Sequence, residues 1–405
     1  MHYNLEEFGL DASVSEDVLE AFIDGRWVRC NGADQIDNIA PATEQVIGRV
    51  ACAAAEDVDE AVTAAHATFP AWSTVAVADR VALLERIAER YEARANDLAA
   101  AISLEMGAPS NLARGPLVMG GLSNPRSYAT APRELDFMFP ALHDSDTDLV
   151  LGEPVGVCVL VTPWSWPMNQ LTLKVGVAIA AGATMVLKPS EQLPITYRLF
   201  SEILDDAGVP AGVFNMINGT GSEVSAHLAR HALVDMVSFI GSTTAGVHVS
   251  KGAADQIKRT TLELGGNSPA IILDGWELEA SLRFLVSLGF RNSGQSCNAP
   301  STLAVYSAEV LGPVLCLCGF EDDAEAVRLA NDTQYGLASY VHGRAPDQVR
   351  YITRALRAGM VHVNGELRAP GTPFGGYKMS GIGREGGRWG IEEFCQTKSI
   401  SGWPT

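Results

Sequence analysis

The run FRNSGQSCNA (290–299) places a thiol, Cys297, in a polar, glycine-containing loop rather than in a core strand. A cysteine in that setting can act as a thiolate nucleophile, although most lone cysteines are inert. The run TLELGGN (261–267) sets the carboxylate of Glu263 in an apolar segment, where by itself it reads as the salt-bridged end of a strand. Four more loops each follow a short apolar run. Thr162-Pro163-Trp164-Ser165 follows GVCVLV (156–161), and Pro189-Ser190-Glu191 follows TMVLK (184–188), which ends in Lys188. Asn218-Gly219-Thr220-Gly221 follows VFNMI (213–217), and Gly241-Ser242-Thr243-Thr244 follows MVSFI (236–240). Glycine lets a backbone approach a ligand closely, and a serine hydroxyl beside a helix N-terminus suits a pyrophosphate. A carboxylate such as Glu191 suits ribose hydroxyls. One such loop is ordinary turn chemistry, whereas four in successive units point to a nucleotide.

The elements that must carry these loops follow from periodicity. The first 130 residues read as helical, with Val81, Leu84, Ile87, Ala88 and Tyr91 at helical spacing and Met106-Gly107-Ala108-Pro109 as a stop. Residues 132–150 contain two prolines and read as a linker or a protruding ribbon. From Gly156, strands at 156–161, 184–188, 213–217 and 236–240 alternate with helices at 169–181, at 194–207 and from Ser222. A second series follows, with strands at 269–273, 301–306, around ASYVHG and at 360–364, and helices at 277–289, 322–331 and 346–357. Repeated βαβ implies parallel sheets covered on both faces. The fold class is therefore α/β, with two parallel-sheet domains in sequence and a cleft between them. Ligands of such sheets bind at the carboxyl ends of the strands.

Two apparent motifs carry less. Gly381-Ile382-Gly383-Arg384-Glu385-Gly386 matches GxGxxG, but no strand directly precedes it and too few residues follow for a βαβ unit. His227 and His231 stand four apart without a third ligand, so they read as a solvated helix face; no metal site is expected. Seven cysteines scattered without CxxC spacing are not a disulfide framework, and Cys316 and Cys318 read as one face of a core strand. The balance of 29 basic against 48 acidic residues gives a net charge of −19, which disfavours nucleic acid or an anionic membrane as partner. The longest apolar stretch, 175–187, is shorter than the roughly 20 residues that a span needs. Reduced cysteines and the acidic start, with no basic segment followed by an apolar core, suggest a cytoplasmic setting.

In family order, EPVGV, TPW, LKPSE, FxGST, LELGGNSP, GQSCNAP, EVLGPV and PFGGYKMSGIGRE resemble the aldehyde dehydrogenase superfamily, from about residue 20 to the C-terminus. The resemblance implies two Rossmann-like domains and a small oligomerisation element. It divides the chain into an NAD-binding domain (1–131 and 151–262), a catalytic domain (263–383) and an oligomerisation element (132–150 and 384–405). It implies oxidation of an aldehyde to an acid: Cys297 attacks the carbonyl, a thiohemiacetal and then a thioester form, and Glu263 activates the hydrolytic water. It places the cofactor at Thr162, Pro163, Trp164, Lys188, Ser190, Glu191, Gly221, Phe239, Gly241, Ser242, Leu264, Glu309 and Leu311. Lys188 and Glu191 would hold the adenosine ribose, Gly221, Gly241 and Ser242 would lie by adenine and pyrophosphate, and Glu309 by the nicotinamide ribose. Glu191 favours NAD over NADP, because a carboxylate repels a 2′-phosphate. The substrate class implied is a small to medium apolar aldehyde, and the assembly a homodimer or homotetramer.

Two departures stand out. Where the family reads TPWN this chain reads TPWS, so Ser165 takes the place of an oxyanion-stabilising Asn. Glu309 stands only 12 positions after Cys297, where the family runs for the better part of a hundred, so the catalytic domain is shortened between 306 and 309. Both features support an alternative: a catalytically impaired paralogue that binds nucleotide or has a structural role. A cysteine hydrolase is a weaker rival, lacking a His near either motif.

Overall fold

Strands Val157–Val161, Thr184–Lys188 and Met236–Ile240 are apolar almost throughout and buried at every residue, as expected of strands covered on both faces. They belong to a computed structural model that describes residues 17–135, 137–141, 147–300, 312 and 318–404. The described chain forms two units. The first comprises the residues up to Phe239 together with His248–Thr260 and Glu385 onward; the second comprises Ile240–Val247 and Thr261–Arg384.

In the first unit, Met236–Ile240 pairs parallel with Val157–Val161, which pairs parallel with Thr184–Lys188, and this in turn with Phe214–Met216. Helix Pro167–Ala181 starts on a proline, whose missing N–H costs nothing in a first turn, and ends at Gly182 with φ 89°. That left-handed φ favours glycine, and a Cβ there would also stand 2.0 Å from an Arg80 guanidinium nitrogen. Helices Val77–Ala93, Ala95–Met106, Val118–Thr130 and Pro194–Asp206 complete the apolar core around Tyr91, Leu98, Ile102, Leu171 and Phe200.

The N-terminal residues correct the helical reading of the first 130. Residues 20–51 are four strands: Glu20–Ile23, Arg26–Arg29, Gln35–Ala40 and Gln45–Ala51. Asp24 and Gly25 both have positive φ, 51° and 71°, as a two-residue hairpin of this hand requires. Phe22 meets Trp27 edge-on at 5.1 Å, and pairing of Phe22 with Met216 adds the hairpin to the sheet. Residues 132–150 contribute a ribbon: Met138–Pro140 pairs with Leu149–Pro154, which pairs along its length with Cys395–Ile400.

In the second unit, Ala270–Ile272, Ala338–His342 and Met360–Val363 form a parallel three-stranded sheet. Ile271, Val341 and Ile352 pack on one cluster; Leu285, Tyr340 and Met360 pack on another. Leu262 and Glu263 pair antiparallel with Ile382 and Gly381, so the glycine-rich GIGREG segment opens as a strand partner and not as a phosphate loop. Helix Leu278–Phe290 leaves Leu278 and Phe290 exposed, at 58% and 46%. Cys318 is exposed and outside any strand, against the core position expected of it; Cys316 and the strand expected at 301–306 lie outside the described residues. Among the described residues, no helix is long and apolar enough to cross a membrane.

Candidate active site

The parallel strands of the first unit reverse their order. The chain steps from Val157–Val161 to Thr184–Lys188 to Phe214–Met216 in one direction, then returns to lay Met236–Ile240 on the other side of Val157–Val161. Ligands of open α/β sheets bind outside the carboxyl ends of the strands beside such a reversal. Thr162, Pro163, Trp164 and Ser165 follow the first of these strands, and Phe239, one residue before the end of the last, pairs with Val161. Thr162 N–H donates to Lys188 O at 3.3 Å, which ties two adjacent loops together. Lys188 is buried, and its Nζ donates to Glu191 Oε2 at 2.8 Å. Glu191 is only partly buried and presents a carboxylate at the loop surface. Ser190 O accepts from Leu193 N–H at 3.4 Å, closing the turn into helix Pro194–Asp206. Around Gly221 a Cβ would meet nothing within 4 Å, so the loop is open there.

The second unit holds Cys297, Glu263, Leu264, Gly241 and Ser242. Three successive residues before the thiol, Asn292, Ser293 and Gly294, have φ of 54°, 56° and 76°. Two left-handed non-glycine residues in a row are costly and mark a backbone held in place by its surroundings. Asn292 Nδ2 donates to Gln295 O at 3.2 Å, and Tyr340 OH donates to Asn298 O at 2.7 Å on the far side of Cys297. Burial, with Cys297 adding, pushes the Tyr340 phenol up, so it stays a donor. The LELGG turn lies against the thiol's own backbone: a Cβ on Gly266 would stand 2.5 Å from Cys297 O. Glu263 is buried, and its Oε1 would be 2.5 Å from a Cβ on Gly375. Gly241 N–H donates to Glu263 O at 3.1 Å, and Ser242 Oγ accepts from Ala245 N–H at 3.3 Å at the start of a helix.

Cys297 is only partly buried, as is Cys30, whereas Cys52, Cys158 and Cys395 are buried and Cys318 is exposed. Burial first pushes Cys30 up to about 12 and Cys395 up to about 11, and raises Cys158 well above its usual value. Neutral buried thiols are poor nucleophiles. Glu309 and Leu311 lie outside the described residues. Ser165 belongs to the first unit, where Gln170 Nε2 donates to its Oγ at 3.5 Å.

The profile of the aldehyde dehydrogenase family matches residues 27–308 and again 298–400. The chain belongs to the aldehyde dehydrogenase family. It is thereby an oxidoreductase acting on aldehydes. A 3-succinoylsemialdehyde-pyridine dehydrogenase from a Pseudomonas species is 38% identical, covering 96% of this chain and 99% of the relative. An aldehyde dehydrogenase from Bartonella henselae has a solved structure that superposes with a TM-score of 0.92 at 35% identity, covering 96% of this chain and all of that one. A cysteine-to-alanine mutant of aldehyde dehydrogenase C from Pseudomonas syringae, solved with NAD+ and octanal, gives 0.93 at 34%, covering 100% and 99%. The alignment with the Pseudomonas relative extends over 476 positions, against 405 residues in this chain. Both chains are covered almost end to end, so most of the excess is internal to the relative. The two profile matches meet at 298–308, just after Cys297.

This family member also carries a buried ion pair that sequence reasoning passed over. Lys174 Nζ lies 2.6 Å from both Ser238 Oγ and Glu385 Oε1, with both charged side chains buried. In sequence, Lys174 is only the residue before the apolar stretch 175–187, and Glu385 is one residue of GIGREG. Their separation of 211 residues leaves no local signal. The two histidines are likewise not simply solvated: His227 Nε2 and His231 Nε2 approach Asp59 Oδ1 at 2.9 and 3.3 Å. No group of three metal-ligating residues is found among the described residues.

Proposed function

We propose that this chain oxidises an aldehyde to its carboxylic acid with NAD, using Cys297 as nucleophile. The observation that carries the reading is the thiol's setting: partly buried, just after a left-handed turn at 292–294, with Gly266 close against its carbonyl oxygen and the Tyr340 hydroxyl holding the next residue, Asn298. An aldehyde has no hydroxyl proton whose loss could drive hydride departure. Cys297 Sγ must therefore first bond to the carbonyl carbon, giving a thiohemiacetal oxyanion. Its donors are the Cys297 backbone N–H and the Ser165 hydroxyl, a shorter and less rigidly aimed group than an amide. The nicotinamide ring, when bound, supplies the acceptor for the hydride. Glu263 takes a proton from water, whose oxygen attacks the resulting thioester. The C–S bond breaks, the acid leaves and the thiolate returns.

The loop residues fit the cofactor. Lys188 and Glu191, already ion-paired, offer ribose hydroxyls a donor and an acceptor. Glu191 repels a 2′-phosphate, which favours NAD over NADP. By the resemblance, Gly221, Gly241 and Ser242 serve adenine and pyrophosphate and Glu309 the nicotinamide ribose, with Thr162, Pro163, Trp164, Ser190, Phe239, Leu264 and Leu311 as further cofactor residues. The domain assignment stays part of the proposal: 1–131 with 151–262 for the cofactor, 263–383 for catalysis, 132–150 with 384–405 for assembly. So do a cytoplasmic setting and a homodimer or homotetramer joined through the ribbon, where Met138 and Phe139 are exposed. The substrate proposed is a small to medium apolar aldehyde. NADH binding measured beside turnover on a panel of aldehydes tests the reading. Binding with turnover supports it, whereas binding without turnover favours the impaired paralogue.

A further inference from the structure

Helix Pro194–Asp206 begins directly after the Lys188–Glu191 loop and has no cap of its own. Its preceding residue is Leu193, which offers no side-chain acceptor, and Pro194 has no N–H. Tyr197 N–H donates to Leu193 O, so the amides left over in the first turn are those of Ile195 and Thr196. Both are taken by one carboxylate from another helix. Glu105, buried on helix Ala95–Met106, receives Ile195 N–H on Oε1 at 2.7 Å and Thr196 N–H on Oε2 at 2.9 Å. Asn38 Nδ2 adds a second donor to Oε1 at 2.9 Å, and the Thr196 hydroxyl a second to Oε2 at 2.6 Å. Each oxygen thus accepts twice. Burial pushes this carboxyl up to about 7, and the donors work in the opposite direction.

The same turn of helix holds the neighbouring loop. Tyr197 OH donates to Pro163 O at 2.9 Å, and burial raises its phenol far enough that it remains a donor. The loop at 162–164 and the loop at 188–191 are therefore both referred to one helical turn, one through Tyr197 and one through the chain itself.

We propose that Glu105 is a positioning residue for cofactor binding, fixing through the first turn of Pro194–Asp206 the two loops that hold the nucleotide. The inference rests on the assignment of those loops to NAD made under Proposed function. In Glu105→Gln, one carboxylate oxygen becomes an NH2 facing donors. The Thr196 hydroxyl can turn to accept from it, but the backbone amides of Ile195 and Thr196 cannot.

The experiment measures NAD dissociation constants by titration and steady-state constants on the full-length protein. Glu105→Gln is expected to raise the Kd and KM for NAD about tenfold, with a much smaller change in kcat at saturating NAD. Thr196→Val, a milder lesion that removes one donor, is expected to raise them about threefold, and Thr196→Ser to restore them. Leu98→Ala, a core truncation on the same helix as Glu105, lowers the unfolding temperature and is expected to leave the NAD Kd within about twofold. Wild-type NAD affinity in Glu105→Gln or, should that variant not fold, in Thr196→Val would overturn the proposal; so would an equal loss of affinity in Leu98→Ala. Lys188→Ala separates the two levels. Weakened binding there with normal binding in Glu105→Gln rejects the positioning role alone, whereas normal binding in Lys188→Ala removes the cofactor assignment beneath it.

Discussion

Ser165 is the residue at which this chain's chemistry parts most plainly from the pattern it resembles. Its hydroxyl follows the strand Val157–Val161 and precedes helix Pro167–Ala181, and accepts from Gln170 Nε2 at 3.5 Å. A donor that matters once negative charge develops changes turnover and leaves ground-state binding alone. Ser165→Asn is therefore expected to raise kcat, by up to about a hundredfold if the hydroxyl contributes little now, with NAD affinity held within a few-fold. A neutral or lower kcat in stopped assays would mean that the surroundings are built for serine. Gly266 lies at the same scale. A Cβ there would press on Cys297 O at 2.5 Å, so Gly266→Ala must displace the nucleophile's backbone. A shift of about 1 Å at a reacting group can cost a hundredfold. The expected outcome is a loss of kcat far larger than the accompanying fall in unfolding temperature, read by calorimetry beside turnover.

Among the elements, burial decided what was legible. VCVLV, TMVLK and MVSFI are unbroken apolar runs, and they are strands buried at every position. The hairpin Glu20–Ile23 with Arg26–Arg29 was not legible as strand from its hydrophobicity, because RWVR is polar at both ends and only half covered. Its one local signal is Asp24-Gly25, and its apolar anchor, Phe22, finds Phe214 some 190 residues away. The glycine loops and the Cys297 turn could be found in sequence because their residue types are unusual for core. The Glu105 cap and the Lys174–Glu385 pair could not, since each joins segments between 67 and 211 residues apart. Breaking one side of a buried ion pair leaves the other charge stranded, so Lys174→Met is expected to cost about 3–5 kcal/mol of stability. Replacing Lys174 and Glu385 together by apolar residues should cost less than Lys174→Met alone, as denaturant titration would show.

At the scale of the whole molecule, the shortening after Cys297 sets the expectation. The second unit has a three-stranded sheet among the described residues and leaves Leu278, Val286 and Phe290 exposed on one helix. Less apolar burial per residue means cheaper local opening. Residues 267–380 are thus expected to exchange amide hydrogens faster than 156–262 and to unfold first on heating, while the first unit still binds NAD. Uniform protection in hydrogen exchange followed by mass spectrometry would show that the shortened unit has closed its core, and would leave Ser165 as the remaining reason for reduced activity. The central claim is tested most directly by NADH formation from NAD and a panel of small to medium apolar aldehydes, followed by absorbance in wild type, Cys297→Ala and Cys395→Ala side by side. The account expects NADH from wild type and Cys395→Ala and none from Cys297→Ala, with NAD affinity in Cys297→Ala within a few-fold of wild type. NADH formed equally fast without the Cys297 thiol would contradict it.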